Sequence, residues 1–198
     1  QPVDVQDLSC DFYAFSGHKM LGPTGVGVLW GKTEILDQME PFMGGGEMIK
    51  TVTMESSTWN DLPYKFESGT PNFVQAVGLG TAIDFMENIG MDVIYDHERR
   101  LTNYALSTLK DIEGLHILGS AKNRNGVISF YIDGIHSHDL AQFLNEDNIA
   151  IRVGHHCAQP LLSSLGQTSA ARISLYIYNN QLDIDIFRDS VEKIKRYF

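Results

Sequence analysis

Hydrophobic and polar positions along this chain follow two rhythms. Up to about residue 62 the apolar residues come in short bursts. Phe12 to Phe15 is an aromatic run suited to a strand, and it leads into a polar turn, Ser16 to Lys19. A Gly/Pro-rich loop, Gly22-Pro23-Thr24-Gly25, precedes a second strand, Val26 to Trp30. Lys32 to Met39 reads as a short helix, and Gly44-Gly45-Gly46 as a loop or hairpin. From there to about Pro63 the chain is polar and weakly patterned.

After Pro71 long helical stripes alternate with short strands. Val74, Ala82, Phe85, Met86 and Ile89 share one stripe, and Leu101, Ala105, Leu109 and Ile112 another. Ile184, Phe187, Val191, Ile194 and Phe198 mark a last helix, while Ser137 or His138 begins one carrying Leu140, Phe143 and Leu144. Strands are expected at 115–118, 127–132, 149–153 and 173–177. The pattern predicts an α/β protein: a small α/β domain from near Pro63, preceded by the tail of a different domain.

Composition narrows the function classes. The 198 residues are 43% hydrophobic and 20% charged, with a formal net charge of −10, which argues against non-specific nucleic-acid binding. No apolar run approaches the roughly 20 residues that span a bilayer. Nor does a basic segment followed by an apolar core open the chain. Cys10 and Cys157 lie far apart, with neither a disulfide framework nor zinc spacing, so a cytoplasmic setting is expected. The opening residues read as the continuation of a longer chain.

Four places carry candidate chemistry. Lys19 follows an aromatic strand and is flanked by Ser16, Gly17 and His18. A desolvated lysine amine is nucleophilic enough for Schiff-base chemistry, and Ser16 and His18 can donate to phosphate oxygens. A surface lysine on a turn fits the same four residues. In Arg152-Val153-Gly154-His155-His156-Cys157-Ala158, a thiol beside two imidazoles on a glycine-containing turn suits a reactive cysteine. A metal site, a Cys–His protease dyad and a buried cysteine compete with it. Three adjacent residues rarely converge on one ion, however, and no protease signature is present. Arg172, where a loop enters an apolar strand, suits either a fork to a substrate carboxylate or a structural salt bridge. Thr70, in Gly69-Thr70-Pro71-Asn72, can donate to an anion or simply cap a helix.

These stretches, with Gly44 to Ile49, Phe66-Glu67 and Tyr178-Asn179, occur in one order from end to end of the chain. Together they resemble the C-terminal half of the group II (SufS-type) cysteine desulfurases of the class V aminotransferase family. The resemblance implies the fold type I of transferases that use pyridoxal 5'-phosphate (PLP). Residues 1–62 would be the C-terminal part of the large PLP-binding domain, and 63–198 the small C-terminal α/β domain. It implies Lys19 as the cofactor lysine, Ser16 and His18 as phosphate ligands, and Thr70 as a ligand to the phosphate bound by a neighbouring subunit. Cys157 is then the persulfide-forming cysteine, and Arg172 and Arg152 serve the substrate, with no metal. The implied reaction converts L-cysteine to L-alanine in a homodimer. Sulfur would pass to a SufE- or SufU-like acceptor for iron–sulfur cluster assembly.

Two other readings stand beside this one. A selenocysteine lyase would share fold and cofactor, and a non-catalytic interaction domain would keep the small-domain fold without the chemistry. Family members also carry, upstream of the lysine, a histidine that stacks on the cofactor ring and an aspartate that pairs with its nitrogen. Only 18 residues precede Lys19, so this stretch by itself is expected to bind PLP weakly or not at all and to be inactive alone.

Overall fold

The computed structural model describes residues 2–119 and 124–198. Contacts divide the chain into two compact units between Met91 and Asp92. This division lies beyond the 62/63 boundary expected for the two domains, since the helix that follows Pro71 packs on the first unit. In that helix, α2 (Phe73–Ile89), Leu79 is buried. A Cβ added to Gly22 would sit 3.0 Å from Leu79 Cδ1, and one added to Gly78 would sit 3.0 Å from Pro23 Cγ. That close approach ties the helix to the loop after Lys19.

In the first unit, β1 (Phe12–Ser16) and β2 (Gly27–Gly31) pair antiparallel, with Tyr13 opposite Trp30 and Phe15 opposite Val28. The short helix α1 (Thr33–Leu36) follows, shorter than the 32–39 expected. Its carbonyl end is closed by Lys65, which is buried and donates to Leu36 O at 3.2 Å and Asp37 O at 2.8 Å. The weakly patterned stretch holds a hairpin, β3 (Ile49–Val52) and β4 (Ser57–Trp59). Thr53 closes it, donating its N–H to Ser56 O at 2.8 Å and accepting from the Ser56 N–H at 3.0 Å. α2 is apolar on more than one face. Leu79, Ala82 and Met86 are buried, whereas Val74, Val77 and Phe85 are exposed, so the predicted stripe is only partly a core stripe.

The second unit is built on a four-stranded antiparallel sheet in the order β5-β6-β8-β7. The strands are β5 (Leu115–Ile117), β6 (Val127–Ile132), β7 (Arg152–Gly154) and β8 (Ala170–Ser174). On β6 the alternation is clean: Ile128, Phe130 and Ile132 are buried, and Val127 is exposed. Helices α3 (Met91–Lys110), α4 (Ser137–Glu146) and α6 (Gln181–Ile194) bring Leu101, Leu109, Leu140, Leu144, Phe187 and Val191 onto that face as one core. Asn180 starts α6 with a capping box. Its Oδ1 accepts from the Leu182 N–H at 2.8 Å, while Asp183 Oδ2 accepts from the Asn180 N–H at 3.0 Å. Phe198, predicted to share the α6 stripe, is exposed beyond the helix end and meets the ring of Phe143 edge-on.

β7 and β8 depart most from their predicted spans. β7 begins at Arg152, since Ile149 and Ile151 pack on the core from the connecting segment without joining the ladder. β8 begins at Ala170 because two alanines, both buried, pair with β6 and β7 where the pattern showed no large apolar residue. Between them a short helix unanticipated from sequence, α5 (Gln159–Ser164), starts with Pro160 in its first turn.

Candidate active site

The candidate residues fall into two groups, one in each unit. In the first unit, Ser16 ends β1 and Gly17, His18 and Lys19 form a single 3-10 turn. Glycine is required in this turn by packing. A Cβ on Gly17 would lie 2.9 Å from Val26 Cγ1 and 3.1 Å from Val26 O, and Gly17 donates its N–H to that same carbonyl at 2.9 Å. Gly22 closes the loop by donating to Gly17 O at 3.0 Å. The turn is thus held from behind by backbone, and His18 and Lys19 project exposed from it. Among the described residues, the side chains of Ser16, His18 and Lys19 make no hydrogen bond or ion pair. A hydroxyl, an imidazole and a primary amine therefore stand together uncommitted. That donor set matches a ligand carrying both a phosphate and an aldehyde.

Thr70 is exposed on the turn leading into α2. That turn is fastened to the glycine loop: Gly69 donates to Gly46 O at 3.0 Å, and Ser68 Oγ donates to Gly44 O at 3.2 Å. Gly45 has no room for a side chain, since a Cβ there would meet Ser68 Oγ at 2.5 Å. Thr70 lines a cavity of about 840 Å³ together with Val26, Val28, Glu47, Tyr64 and Leu79. Ser16, His18 and Lys19 are not in its lining.

In the second unit Arg152, Cys157 and Arg172 come together. Arg152 on β7 lies directly opposite Arg172 on β8, and Arg172 lies opposite Ser129 on β6. All three alternate with the core residues Val153, Ala171, Ile128 and Phe130, so they share the sheet face turned away from the helices. Like charges directly opposite across antiparallel strands are destabilising. Arg172 is half-buried, and its Nε is enclosed without a hydrogen-bond partner among the described residues. Burial, then neighbouring Arg152, pulls its guanidinium below the usual arginine value, with the Cys157 charge acting the other way. A buried donor left unmatched and two facing cations together suit an anion such as a carboxylate.

The segment between these strands carries the thiol. Gly154 has φ +105°, and His156 and Cys157 have φ +53° and +60°. Two consecutive non-glycine residues in the left-handed region cost roughly 1–2 kcal/mol each, so the surrounding structure must hold them there. His156 does so. Its Nε2–H donates to Ala170 O at 3.0 Å and staples the turn to β8. Burial, the largest influence, depresses the His156 imidazole below its ordinary value, and Arg172 and Arg152 push the same way. With Nε2 as donor, His156 Nδ1 is left a bare acceptor, enclosed and without a partner among the described residues. His155 is exposed, and its carbonyl accepts from the Ala158 N–H at 2.8 Å. Cys157 is exposed and free, and Arg152 Nη2 donates to its sulfur at 3.3 Å. Within this chain the thiol is not packed into the core.

Sequence reasoning missed the His156 staple and the left-handed pair. The only signal was Gly154 before two histidines. It also missed a polar cluster at the start of α4, where His136 Nε2 lies 3.5 Å from Ser169 Oγ and Ser137 Oγ donates to Ser169 Oγ at 2.9 Å. His136 Nδ1 accepts from the His138 N–H at 3.3 Å. The neutral ring therefore carries its proton on Nε2 and cannot take one from the serine. The cluster is a helix cap. Among the described residues no His, Cys, Asp and Glu side chains group to hold a metal, and no helix is long and apolar enough to cross a membrane.

Comparison with known proteins gives a consistent result. The family model for aminotransferase class-V matches residues 1–187. A probable cysteine desulfurase of Halalkalibacterium halodurans is 54% identical over 99% of this chain and 48% of its own. The crystal structure of the Escherichia coli cysteine desulfurase CsdA, in an S-sulfonic acid form, is similar at TM-score 0.94 and 38% identity, over 100% of this chain and 49% of that one. A variant of C-DES with glycine covalently linked to its PLP cofactor shares the fold at TM-score 0.80 and 24% identity, covering 95% and 47%. The chain spans about half the length of the curated relatives it matches. With both groups of residues lying inside the matched span, the chain belongs to the aminotransferase class-V family.

Proposed function

We propose that the protein carrying this chain is a PLP-dependent cysteine desulfurase. The observation that carries the reading is the second-unit constellation: an exposed thiol held on a strained turn, beside two facing arginines of which one has an unmet buried donor. In this reading Ser16 and His18 hold the cofactor phosphate and Lys19 holds its aldehyde carbon. Thr70 reaches the phosphate of a second subunit in a homodimer. Bound PLP supplies an electron sink for charge developing at the substrate α-carbon.

The remaining work falls to the chain itself. Arg172 takes the carboxylate of L-cysteine, with Arg152 beside it in the same row. The Lys19 amine removes the α-proton and later returns one. The Cys157 thiolate attacks the substrate sulfur, so an S–S bond forms as the substrate Cβ–S bond breaks. The electron pair of the broken bond stays with the substrate carbon, which is protonated to give L-alanine, and Cys157 keeps the sulfur as a persulfide. The first unit is then the end of a larger cofactor domain, and the second a smaller domain that delivers the thiol.

The Arg-x-Gly-His-His-Cys-Ala form spanning 152–158 supports the SufS-type group. With that group go a SufE- or SufU-like acceptor, sulfur supply to iron–sulfur cluster assembly and a cytoplasmic setting. The test is to incubate the complete natural polypeptide with PLP, L-cysteine and a thiol reductant. Alanine and sulfide in equal amounts are expected, and both are lost in Cys157→Ser. Pyruvate or ammonia as the main product would overturn the proposal.

A further inference from the structure

We infer that Arg152 is a positioning residue for the Cys157 sulfur, and that the two arginines of the row divide their labour, Arg172 serving the substrate carboxylate and Arg152 the thiol. This rests on the desulfurase reading for its catalytic consequence, but not for its geometry. Arg152 opens β7 and Cys157 lies five positions on, yet the guanidinium and the sulfur meet at 3.3 Å. They meet because the chain reverses on Gly154, His156 and Cys157, all with positive φ. The hydrogen bond from His156 to Ala170 O fixes that reversal against β8. Without it the two side chains of a continuing strand would be carried apart, at about 3.3 Å per residue.

The row explains which arginine does which task. Arg152 and Arg172 occupy opposed positions in the row, but the two are not equivalent. Arg152 is exposed and already gives an N–H to sulfur, whereas Arg172 is half-buried with its Nε enclosed and unmatched. The unsatisfied donor is the one that gains most from a carboxylate. A charged N–H donated to the sulfur fixes the direction from which it attacks. Arg152 thus acts through Cys157.

The experiment uses the complete natural polypeptide and reads Cys157 directly. The rate of its alkylation by iodoacetamide, without substrate, is followed by peptide mass spectrometry, which separates it from Cys10. Arg152→Gln is expected to slow alkylation of Cys157 about 3- to 10-fold, as for a sulfur that loses the charge-assisted donor holding it. Arg152→Lys should restore part of the rate, and Arg172→Gln should leave it within about twofold of wild type. In turnover, Arg152→Gln should lower kcat with KM for L-cysteine little changed, and Arg172→Gln should raise KM. Alkylation of Arg152→Gln at the wild-type rate, together with a raised KM, would make Arg152 a substrate ligand and overturn the inference. Equal slowing in Arg152→Gln and Arg172→Gln would also overturn it, by showing a general disturbance of the turn. If Arg152→Gln does not fold, Arg152→Lys against wild type decides, since a point charge cannot keep the planar fork and a rate equal to wild type would count against positioning. Expected alkylation rates with no alanine from wild type would sink the desulfurase reading and leave the positioning role standing.

Discussion

The lysine turn and the cysteine turn reach the same end by opposite means. Around Lys19 the backbone is compact and glycines make the room: Gly17 has the Val26 side chain and carbonyl where its Cβ would be, and Gly22 has Gly17 O. The side chains there are uncommitted. Around Cys157 the space is open, since a Cβ on Gly154 would meet nothing within 4 Å. Here the shape comes from non-glycine residues held at positive φ by side-chain bonds. A turn that anchors a permanently bound group needs rigidity from packing. A turn that presents a thiol and later hands sulfur on is better held by a few polar contacts, each of which can be broken at small cost.

The comparison can be broken in five ways, from the largest expected effect downward. Lys19→Ala and Cys157→Ser should each lower alanine formation by about 10³-fold or more, roughly 4 kcal/mol of transition-state stabilisation. Only Lys19→Ala should also lose the cofactor absorbance, so a spectrum retained in Lys19→Ala would contradict the division. Phe130→Ala, at a fully buried position against Phe187, should cost about 3–5 kcal/mol in urea unfolding, because the cysteine turn stands on that core. Gly17→Ala should cost about 1–3 kcal/mol through overpacking against Val26 and should weaken PLP binding. Gly154→Ala should cost nearer to about 1 kcal/mol, from backbone strain without a clash. Equal costs for the two glycines would remove the distinction between packed and open turns.

The smallest effect is one of pH. Burial holds the His156 imidazole below its ordinary 6.5 in the folded chain. The unfolded chain therefore binds the proton more readily, so the contribution of His156 to stability is complete above pH 6.5 and is lost as pH falls through the lowered value. Urea midpoints measured from pH 7.5 down to 5 should fall on the acid side. The fall should be shallower in His156→Gln, which keeps a donor for Ala170 O without titrating.

Legibility in the sequence followed the strength of the burial pattern. β6, α3 and α6 are readable because each has a well-formed buried face, as Ile128, Phe130 and Ile132 show on β6, and β1 is readable from its aromatic run although none of its residues is buried. The β3–β4 hairpin was not, because Thr51, Thr53, Ser56 and Ser57 are exposed and it buries little. α5 is six residues long and buries only Leu162, too little to leave a period. The division between the two units was not legible because α2 packs on the Lys19 loop through Leu79 and Gly78, contacts between positions far apart in sequence. In the site, Lys19, Cys157 and Arg172 were legible as residue types at turns and strand edges. The Arg152–Arg172 row, the His156 staple and the left-handed pair were not, since each depends on register or dihedral angle.

The central claim is that the thiol on the second turn receives the substrate's sulfur. The direct measurement is the intact mass of the Cys157 peptide after one turnover of the complete natural polypeptide with PLP and L-cysteine, without reductant. One added sulfur atom on Cys157, removable by reductant and matched by one equivalent of alanine, is the predicted result. Alanine formed with Cys157 unmodified, or formed equally well by Cys157→Ser, would contradict it.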